Sequence, residues 1–412
     1  MNFGCIGEHL KHSFSKEIHA LLGKYDYSIK EISKEDIGSF LLSRDFLGIN
    51  VTIPYKETVI PYLYYIDEAA EKIGAVNTVV NKGGKLYGYN TDFYGMNALI
   101  SHAGISVKDK KSVILGTGGT SKTAEALLLS LGAREVIKVG RTKRDGNIDY
   151  EELYSRHADA EIIVNTTPVG MYPSIHESPV DISRFHSLSG VIDAVYNPLR
   201  TCLVLDAKER GIPAEGGLYM LVAQAFRASE IFTGKEYPEE FLSDVYEKIL
   251  ASKENIVLTG MPASGKSTVG EIIKERTSRN LIDTDLLCEQ KDGRRISEIF
   301  ESSGESSFRD LESRVIKGIS DISSAIIATG GGAVLRKENL YNLRHNGRIF
   351  LIDRPLDSLI PTSDRPLANS KEAIIRRYNE RIEIYRSSAD VIIDAKGDIK
   401  ETVDKISGVL NL

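Results

Sequence analysis

Residues 256–268 of the 412-residue chain pass from an apolar run, Ile256-Val257-Leu258, through a glycine-bounded loop and into a segment of helical composition. The loop, Gly260-Met261-Pro262-Ala263-Ser264-Gly265-Lys266-Ser267-Thr268, constrains the fold more than any other feature. Its glycines let successive backbone N–H groups converge on phosphate oxygens, and that geometry exists only where a strand turns tightly into a helix. Lys266 sets a cation against the outer phosphates and Ser267 offers a hydroxyl to Mg²⁺. The pattern therefore predicts ATP or GTP chemistry, with Gly260, Ala263, Ser264, Gly265, Lys266, Ser267 and Thr268 around the nucleotide.

A second glycine turn has a different form. Ser112-Val113-Ile114-Leu115 runs into Gly116-Thr117-Gly118-Gly119-Thr120, and the apolar segment Ala124–Leu129 follows. This reads as the strand, turn and helix of a dinucleotide fold with its third glycine brought forward, or as a plain connection between a strand and a helix. The next strand, Glu135–Val139, ends in Gly140-Arg141-Thr142-Lys143-Arg144. Cations stand where an NAD site places an acidic residue on the ribose 2′-hydroxyl, which suits the 2′-phosphate of NADP(H). The competing reading is a solvated basic turn.

Strand-like runs alternate with helical ones through most of the chain, from Phe3–Ile6, Phe46–Ile53 and Val76–Asn81 to Ala325–Ala328 and Ile349–Ile352. Alternation of this kind predicts α/β architecture with parallel sheets covered by helices. Ala251-Ser252-Lys253-Glu254 reads as a short polar stretch between a helix ending near Leu250 and the strand before Gly260. The expected domains are thus 1–250 and 254–412, the first divided into a substrate part (1–100 with a C-terminal helix) and a Rossmann-like NADP part (101–235). A cleft between those two parts is the expected substrate site.

At 42% hydrophobic and 27% charged residues the chain has globular composition. Its formal charge of −6 argues against a nucleic-acid or anionic-membrane surface. Cys5, Cys202 and Cys288 are too scattered for a disulfide framework or a zinc site. The N-terminus lacks a targeting pattern and no run is long enough to span a membrane, so a cytoplasmic location is expected.

Further local groups precede and follow the turn at Gly116: Ser13-Phe14-Ser15; Asn50-Val51-Thr52-Ile53-Pro54-Tyr55-Lys56; Gly74–Thr78 with Asn90-Thr91-Asp92; Asp193–Pro198; and Gly217–Gln224. Ketone reduction by hydride builds negative charge on oxygen, which needs a positioned proton donor. Lys56 is the candidate, with Asp92 to orient it. Ser13 and Ser15, two apart, point both hydroxyls the same way if the chain is extended. Over about residues 1–250 these groups resemble the shikimate dehydrogenase family. The resemblance implies that Lys56 and Asp92 are catalytic. It implies that Ser13 and Ser15 hold the substrate carboxylate, that Thr52, Asn77, Asp92 and Gln224 read ring hydroxyls, and that Tyr196 also lines the substrate. Gly116, Gly118, Gly119, Thr120, Arg141, Thr142 and Gly217 would receive the cofactor. Both serines favour shikimate over quinate. Gly140 departs from the family, which often has Asn before Arg-Thr.

After Gly260 come Asp283-Thr284-Asp285, Gly304-Glu305-Ser306-Ser307-Phe308-Arg309, Ala328–Gly332, Arg365-Pro366-Leu367 and Arg381 with Tyr385. Phosphoryl transfer requires a metal, a cationic clamp and an aligned acceptor. Ser267 and Asp283 suit Mg²⁺. Asp285, read as lying on the same strand end and face as Asp283, suits the attacking hydroxyl, and Arg309 with Arg381 can grip a carboxylate. Over about residues 254–412 the set resembles the P-loop shikimate kinase family. That implies Lys266, Asp285 and Arg365 in catalysis, and substrate against Asp285, Arg309, Gly331, Gly332 and Arg381. The lid before Arg365 is short and poor in cations.

The joint expectation is a bifunctional enzyme that reduces 3-dehydroshikimate to shikimate and phosphorylates the product, with NADP(H), ATP and Mg²⁺; the sequence does not reveal its oligomeric state. The alternatives are a quinate/shikimate dehydrogenase joined to another small-metabolite kinase, and a non-catalytic metabolite sensor.

Overall fold

The computed structural model describes residues 2–8, 10, 14–144, 146–359 and 370–410. Ser13 and Arg365, both expected at sites, lie outside the described residues. The chain divides into two compact units, residues 1–249 and 250–412.

The first unit begins with a six-stranded sheet: β1 (Phe3–Gly7), β2 (Tyr27–Glu31), β3 (Gly48–Val51), β4 (Tyr65–Ile66), β5 (Thr78–Lys82) and β6 (Lys85–Tyr89), in the order β2-β1-β3-β5-β6-β4. The expectation of parallel sheets holds only in part here: β1–β2, β1–β3 and β4–β6 pair parallel. β3 and β5 pair antiparallel, and β5 and β6 do so because the loop after Asn81-Lys82 is Gly83-Gly84 with φ of +59° and +82°. Two residues in the left-handed region make the tight turn whose twist matches a hairpin. Helices α1 (Ser15–Leu22), α2 (Ile37–Ser43), α3 (Glu68–Ile73) and α4 (Thr91–His102) accompany this sheet.

A five-stranded sheet follows, formed by β7 (Lys111–Leu115), β8 (Glu135–Val139), β9 (Ile162–Asn165), β10 (Gly190–Asp193) and β11 (Ala214–Glu215), ordered β11-β10-β9-β7-β8. Every pair is parallel. Val113, Leu115, Ile163 and Val191 are fully buried in one cluster with Leu203 and Val204, each such side chain contributing about 1.5–3 kcal/mol by leaving water. The helices are α5 (Gly119–Ser130), α6 (Tyr150–Arg156), α7 (Cys202–Glu209), α8 (Leu218–Thr233) and α9 (Glu239–Lys253). Neighbours lie on opposite sides of β7 in the order β9-β7-β8, so its C-terminal end, where Gly116 stands, is a switch point at which open α/β sheets bind ligands.

The second unit holds a parallel sheet of β12 (Asn255–Thr259), β13 (Leu281–Asp283), β14 (Ile326–Ala328), β15 (Gly347–Asp353) and β16 (Val391–Asp394), ordered β13-β14-β12-β15-β16. It is covered by α10 (Lys266–Thr277), α11 (Thr284–Asp292), α12 (Ile296–Gly318), α13 (Lys337–Arg344), α14 (Lys371–Ser388) and α15 (Ile399–Leu410). β12 lies between β14 and β15, so Gly260 opens at a switch point as well.

The polar stretch 251–254 is not a linker. α9 continues to Lys253, since Ala251, Ser252 and Lys253 carry nothing that breaks a helix, and Glu254 N donates to Leu250 O at 2.8 Å. The Glu254 side chain is buried against Arg348 Nε at 2.8 Å, and its carbonyl accepts from Arg279 Nη1 at 2.7 Å. Among the described residues no helix is long and apolar enough to cross a membrane.

Candidate active sites

In the first unit a cavity of about 620 Å³ is lined by Ser15, Asn50, Thr52, Lys56, Asn77, Thr91, Asp92, Thr120, Tyr196, Gly217 and Gln224. Lys56 Nζ donates to Asp92 Oδ2 at 2.5 Å, with the two side chains 14% and 3% exposed. The meeting has a structural cause. Lys56 O accepts from Val76 N at 2.8 Å, holding the Lys56 turn beside the segment that carries Asn77. Asn90 caps α4 by accepting from Phe93 N, which sets Asp92 in the first helical turn, where the helix dipole favours a carboxylate. Asn77 Nδ2 donates to Asp92 Oδ1 at 2.8 Å and Asn77 Oδ1 accepts from Thr91 N at 2.7 Å. Beneath this, Asn50 Nδ2 donates to Thr78 Oγ1 at 3.1 Å and Asn50 Oδ1 accepts from Tyr27 Oη at 2.7 Å.

The glycine turn forms the neighbouring wall. Gly116 has φ +114°, and a Cβ there would lie 2.6 Å from Thr166 Oγ1, so only glycine fits. Gly118 caps α5 and Gly119 begins it, directing backbone donors to the space above. A Cβ on Gly119 would stand 3.7 Å from Lys56 Cδ, which places the lysine stem against the cofactor turn. Gly217, the cap of α8, donates its N–H to Val195 O at 2.8 Å, and a Cβ there would be 2.2 Å from Ala194 O. Gln224 follows two turns along α8. Arg141 and Thr142 are exposed just beyond β8.

The extended geometry expected of Ser13 and Ser15 does not hold. Phe14 adopts helical dihedrals (φ −82°, ψ −3°) and Ser15 is the first residue of α1. Ser15 still lines the cavity, delivered by a helix start rather than by strand alternation, while the Phe14 ring meets Tyr196 edge-on at 5.2 Å. Burial pushes the Tyr196 hydroxyl up to about 12. At the far side His19 stacks on Tyr27 at 3.8 Å, and burial pushes its pKa down to about 3, leaving a neutral imidazole. Asp193, fully buried, is raised to about 7 by its burial although Asn165, Thr201 and the Val195 N–H all donate to it.

In the second unit Gly260, Ala263 and Gly265 hold φ of +150°, +66° and +94°, the backbone of a phosphate cradle. Lys266 is buried and donates to Gly260 O at 2.9 Å and Met261 O at 3.0 Å. Among the described residues Ser264 Oγ is buried without a hydrogen-bond partner, as fits a loop shaped to receive further acceptors. Thr268 follows in the first turn of α10. Ser267 Oγ donates to Asp283 Oδ2 at 3.0 Å. A hydroxyl beside one carboxylate is a hard-oxygen pair, which suits Mg²⁺ completed by phosphate and water.

Asp283 and Asp285 do not share a strand face. Asp283 ends β13 and caps α11, with Oδ1 accepting from Asp285 N at 2.9 Å, so Asp285 sits in the first helical turn. Its carboxylate nevertheless faces the glycine loop, since a Cβ on Gly330 would be 2.4 Å from Asp285 Oδ1 and 2.6 Å from Glu312 Oε1. Arg309 donates to Glu312 Oε2 at 2.7 Å and Glu305 Oε1 at 3.1 Å, while Arg381 Nη2 lies 3.8 Å from the same Glu305 oxygen. Burial opposes the Arg309 charge, but Glu312 and Glu305 more than offset it and hold the guanidinium above its ordinary value. Burial raises Glu312 above the usual carboxylate range. The Arg309 guanidinium lies against Gly332, where a Cβ would approach it to 2.2 Å. Tyr385 donates its hydroxyl to Gly331 O, and a Cβ on Gly331 would be 3.0 Å from Pro262 Cγ in the phosphate loop. Nucleotide loop and acceptor cluster are thus contiguous.

Sequence reasoning missed Glu312, Asn50 and Thr91. Glu312 was signalled by its place three residues after Arg309, one helical face away. Asn50 and Thr91 stood inside the groups already quoted, but only folding shows which side chains turn inward.

Comparison with known proteins decides between dinucleotide folds. A shikimate dehydrogenase from Clostridium beijerinckii, described as NADP(+)-dependent, is 36% identical over 59% of this chain and 96% of its own length. The chain belongs to the shikimate dehydrogenase family. Residues 5–79 match the model of the shikimate dehydrogenase substrate binding domain, and residues 262–411 match that of shikimate kinase, so the family member here carries a shikimate kinase domain and is an enzyme in both halves. Among solved structures, shikimate dehydrogenase 1 from Peptoclostridium difficile is 39% identical, with a TM-score of 0.56 over 60% of this chain and 98% of that one. A chorismate mutase/shikimate 5-dehydrogenase fusion from Clostridium acetobutylicum is 36% identical, with a TM-score of 0.57 over 60% and 96%.

Proposed function

We propose that the chain reduces 3-dehydroshikimate to shikimate with NADPH in its first half and phosphorylates shikimate to shikimate 3-phosphate with MgATP in its second. The observation that carries the reading is the Lys56–Asp92 contact at 2.5 Å, inside a cavity that also gathers Ser15, Thr52, Asn77, Tyr196 and Gln224 and abuts the turn at Gly119. NADPH supplies the hydride, ATP the phosphoryl group, and Mg²⁺ charge neutralisation.

Lys56 Nζ gives its proton to the ketone oxygen as negative charge develops there, and Asp92 keeps the ammonium aimed at that oxygen. Ser15, with Ser13, receives the carboxylate; Thr52, Asn77 and Gln224 fix the ring hydroxyls, and Tyr196 closes the wall. Gly116, Gly118, Gly119, Thr120 and Gly217 admit the cofactor, with Arg141 and Thr142 on its 2′-phosphate. We assign residues 1–100 and the C-terminal helix to substrate and 101–235 to NADP(H).

Within the domain at 254–412, Lys266 neutralises the outer phosphates, Ser267 and Asp283 hold the metal, and Asp285 accepts a hydrogen bond from the acceptor hydroxyl. Arg309 and Arg381 take the substrate carboxylate over Gly331 and Gly332, and Arg365 closes on the transferring group. Cys5, Cys202 and Cys288 are buried and form no disulfide among the described residues, which fits a reducing cytoplasm. The test is one cuvette holding enzyme, 3-dehydroshikimate and NADPH, with MgATP added second. Nicotinamide oxidation before MgATP and ADP release after it are expected; ADP release without prior reduction, or no reduction at all, would overturn the proposal.

A further inference from the structure

The basic turn after β8 is shaped by a side chain that returns to it from the far end of the loop. Gly140 has no left-handed backbone, so φ does not require glycine there. Space does. A Cβ on Gly140 would lie 2.7 Å from Asn147 Nδ2 and 3.2 Å from Thr117 Cγ2 in the glycine turn. Asn147 occupies that place because the loop folds back. Gly140 N donates to Ile148 O at 2.9 Å, Ile148 N donates to Lys138 O at 2.9 Å, and Asn147 N donates to Arg144 O at 3.1 Å. The Asn147 amide then donates to Thr142 O at 3.0 Å and to Ile148 O at 3.1 Å. Arg141 and Thr142 are exposed, whereas Asn147 is half-buried between them and Thr117.

We propose that Asn147 is a positioning and specificity residue for the dinucleotide: it fixes the Arg141-Thr142 turn beside the glycine turn so that the guanidinium meets a ribose 2′-phosphate. A guanidinium on a long stem binds a phosphate well only where its backbone is fixed, since ordering it otherwise falls to the binding event. The inference rests on the NADP(H) reading above. Bracing should therefore matter for a cofactor with the 2′-phosphate and little for one without it.

The experiment uses the full chain and compares KM for NADPH and NADH in wild type, Asn147→Ala and Asn147→Asp, with kinase activity as the control for folding. Asn147→Ala should raise KM for NADPH about tenfold, the loss typical of one hydrogen bond to an ordered site, with KM for NADH and kcat nearly unchanged. Asn147→Asp, which turns an acceptor toward two carbonyls, should raise it further. Gly140→Ala should mimic Asn147→Ala, and combining the two should add little, because both release the same contact. An unchanged NADPH-to-NADH ratio in Asn147→Ala, or equal losses with both cofactors, would overturn the inference. A wild type that does not prefer NADPH would instead overturn the cofactor reading itself.

Discussion

On the proposed reading the two sites solve the same recognition problem with different materials. In the first unit the ring acid's pocket is organised around one ion pair, Lys56–Asp92, and a relay of amides and hydroxyls through Asn77, Thr91, Thr78 and Asn50. In the second it is organised by buried charge, Arg309 between Glu312 and Glu305, pressed against glycines that leave no room for a side chain. A relay of neutral partners offers several ways to satisfy each group. A buried guanidinium against main chain offers one geometry, and breaking one partner strands a charge.

Removing the central cation of each half is the largest test. Lys56→Ala should lower NADP-linked turnover by about 10³-fold or more while phosphorylation persists, and Lys266→Ala should do the reverse, since each deletes the group proposed to meet developing or transferring charge. Separate assays of each activity check this; equal loss of both activities in either variant would show that the halves are not independent.

Gly332→Ala comes next. The added methyl displaces the Arg309 guanidinium, and a shift near 1 Å in a positioned group costs about a hundredfold. Kinase kcat/KM for shikimate should fall by about that factor, with dehydrogenase kinetics unchanged. The matching change in the relay, Asn77→Ala, should cost less, about tenfold in dehydrogenase kcat, because Lys56 still holds Asp92. A larger loss in Asn77→Ala than in Gly332→Ala would reverse the comparison.

The smallest effect concerns acid. His19 is lowered from 6.5 to about 3, so the unfolded chain binds the extra proton between those values and stability falls as pH drops through them. Asp193 is raised from 3.8 to about 7, so the folded chain binds the extra proton and stability is lost as pH rises through that window. The two oppose each other over their overlap. Asp193→Asn should therefore steepen the fall in Tm between about pH 6.5 and about pH 4. Melting curves of both proteins across that range check it, and parallel curves would refute it.

Both phosphate loops were legible in sequence because their glycines serve backbone dihedrals, which the residue type alone dictates. The interior strands were legible too, being short apolar runs. Some strands at or near sheet edges were not: Tyr27–Glu31, Lys85–Tyr89, Leu281–Asp283 and Val391–Asp394 are shorter or more polar, since a strand beside few neighbours needs little apolar surface, whereas the edge strand Glu135–Val139 was legible. The antiparallel hairpin was signalled by Gly83-Gly84 and passed over. Asp285 and Ser15 face inward by a different geometry from the one expected, because a capping residue or a helix start can replace strand alternation. Which oxygen pairs with which cation around Arg309 needed the packed helices.

The contact between Pro262 and Gly331 bears on regiochemistry. On the proposed reading the donor and acceptor loops meet through a ring and bare main chain, so their packing shares with Asp285, Arg309 and Arg381 the choice of the hydroxyl that comes within reach of the phosphorus. Redirecting this kinase toward another position on a polyol would therefore call for loop remodelling as well as exchange of the side chains that line the pocket.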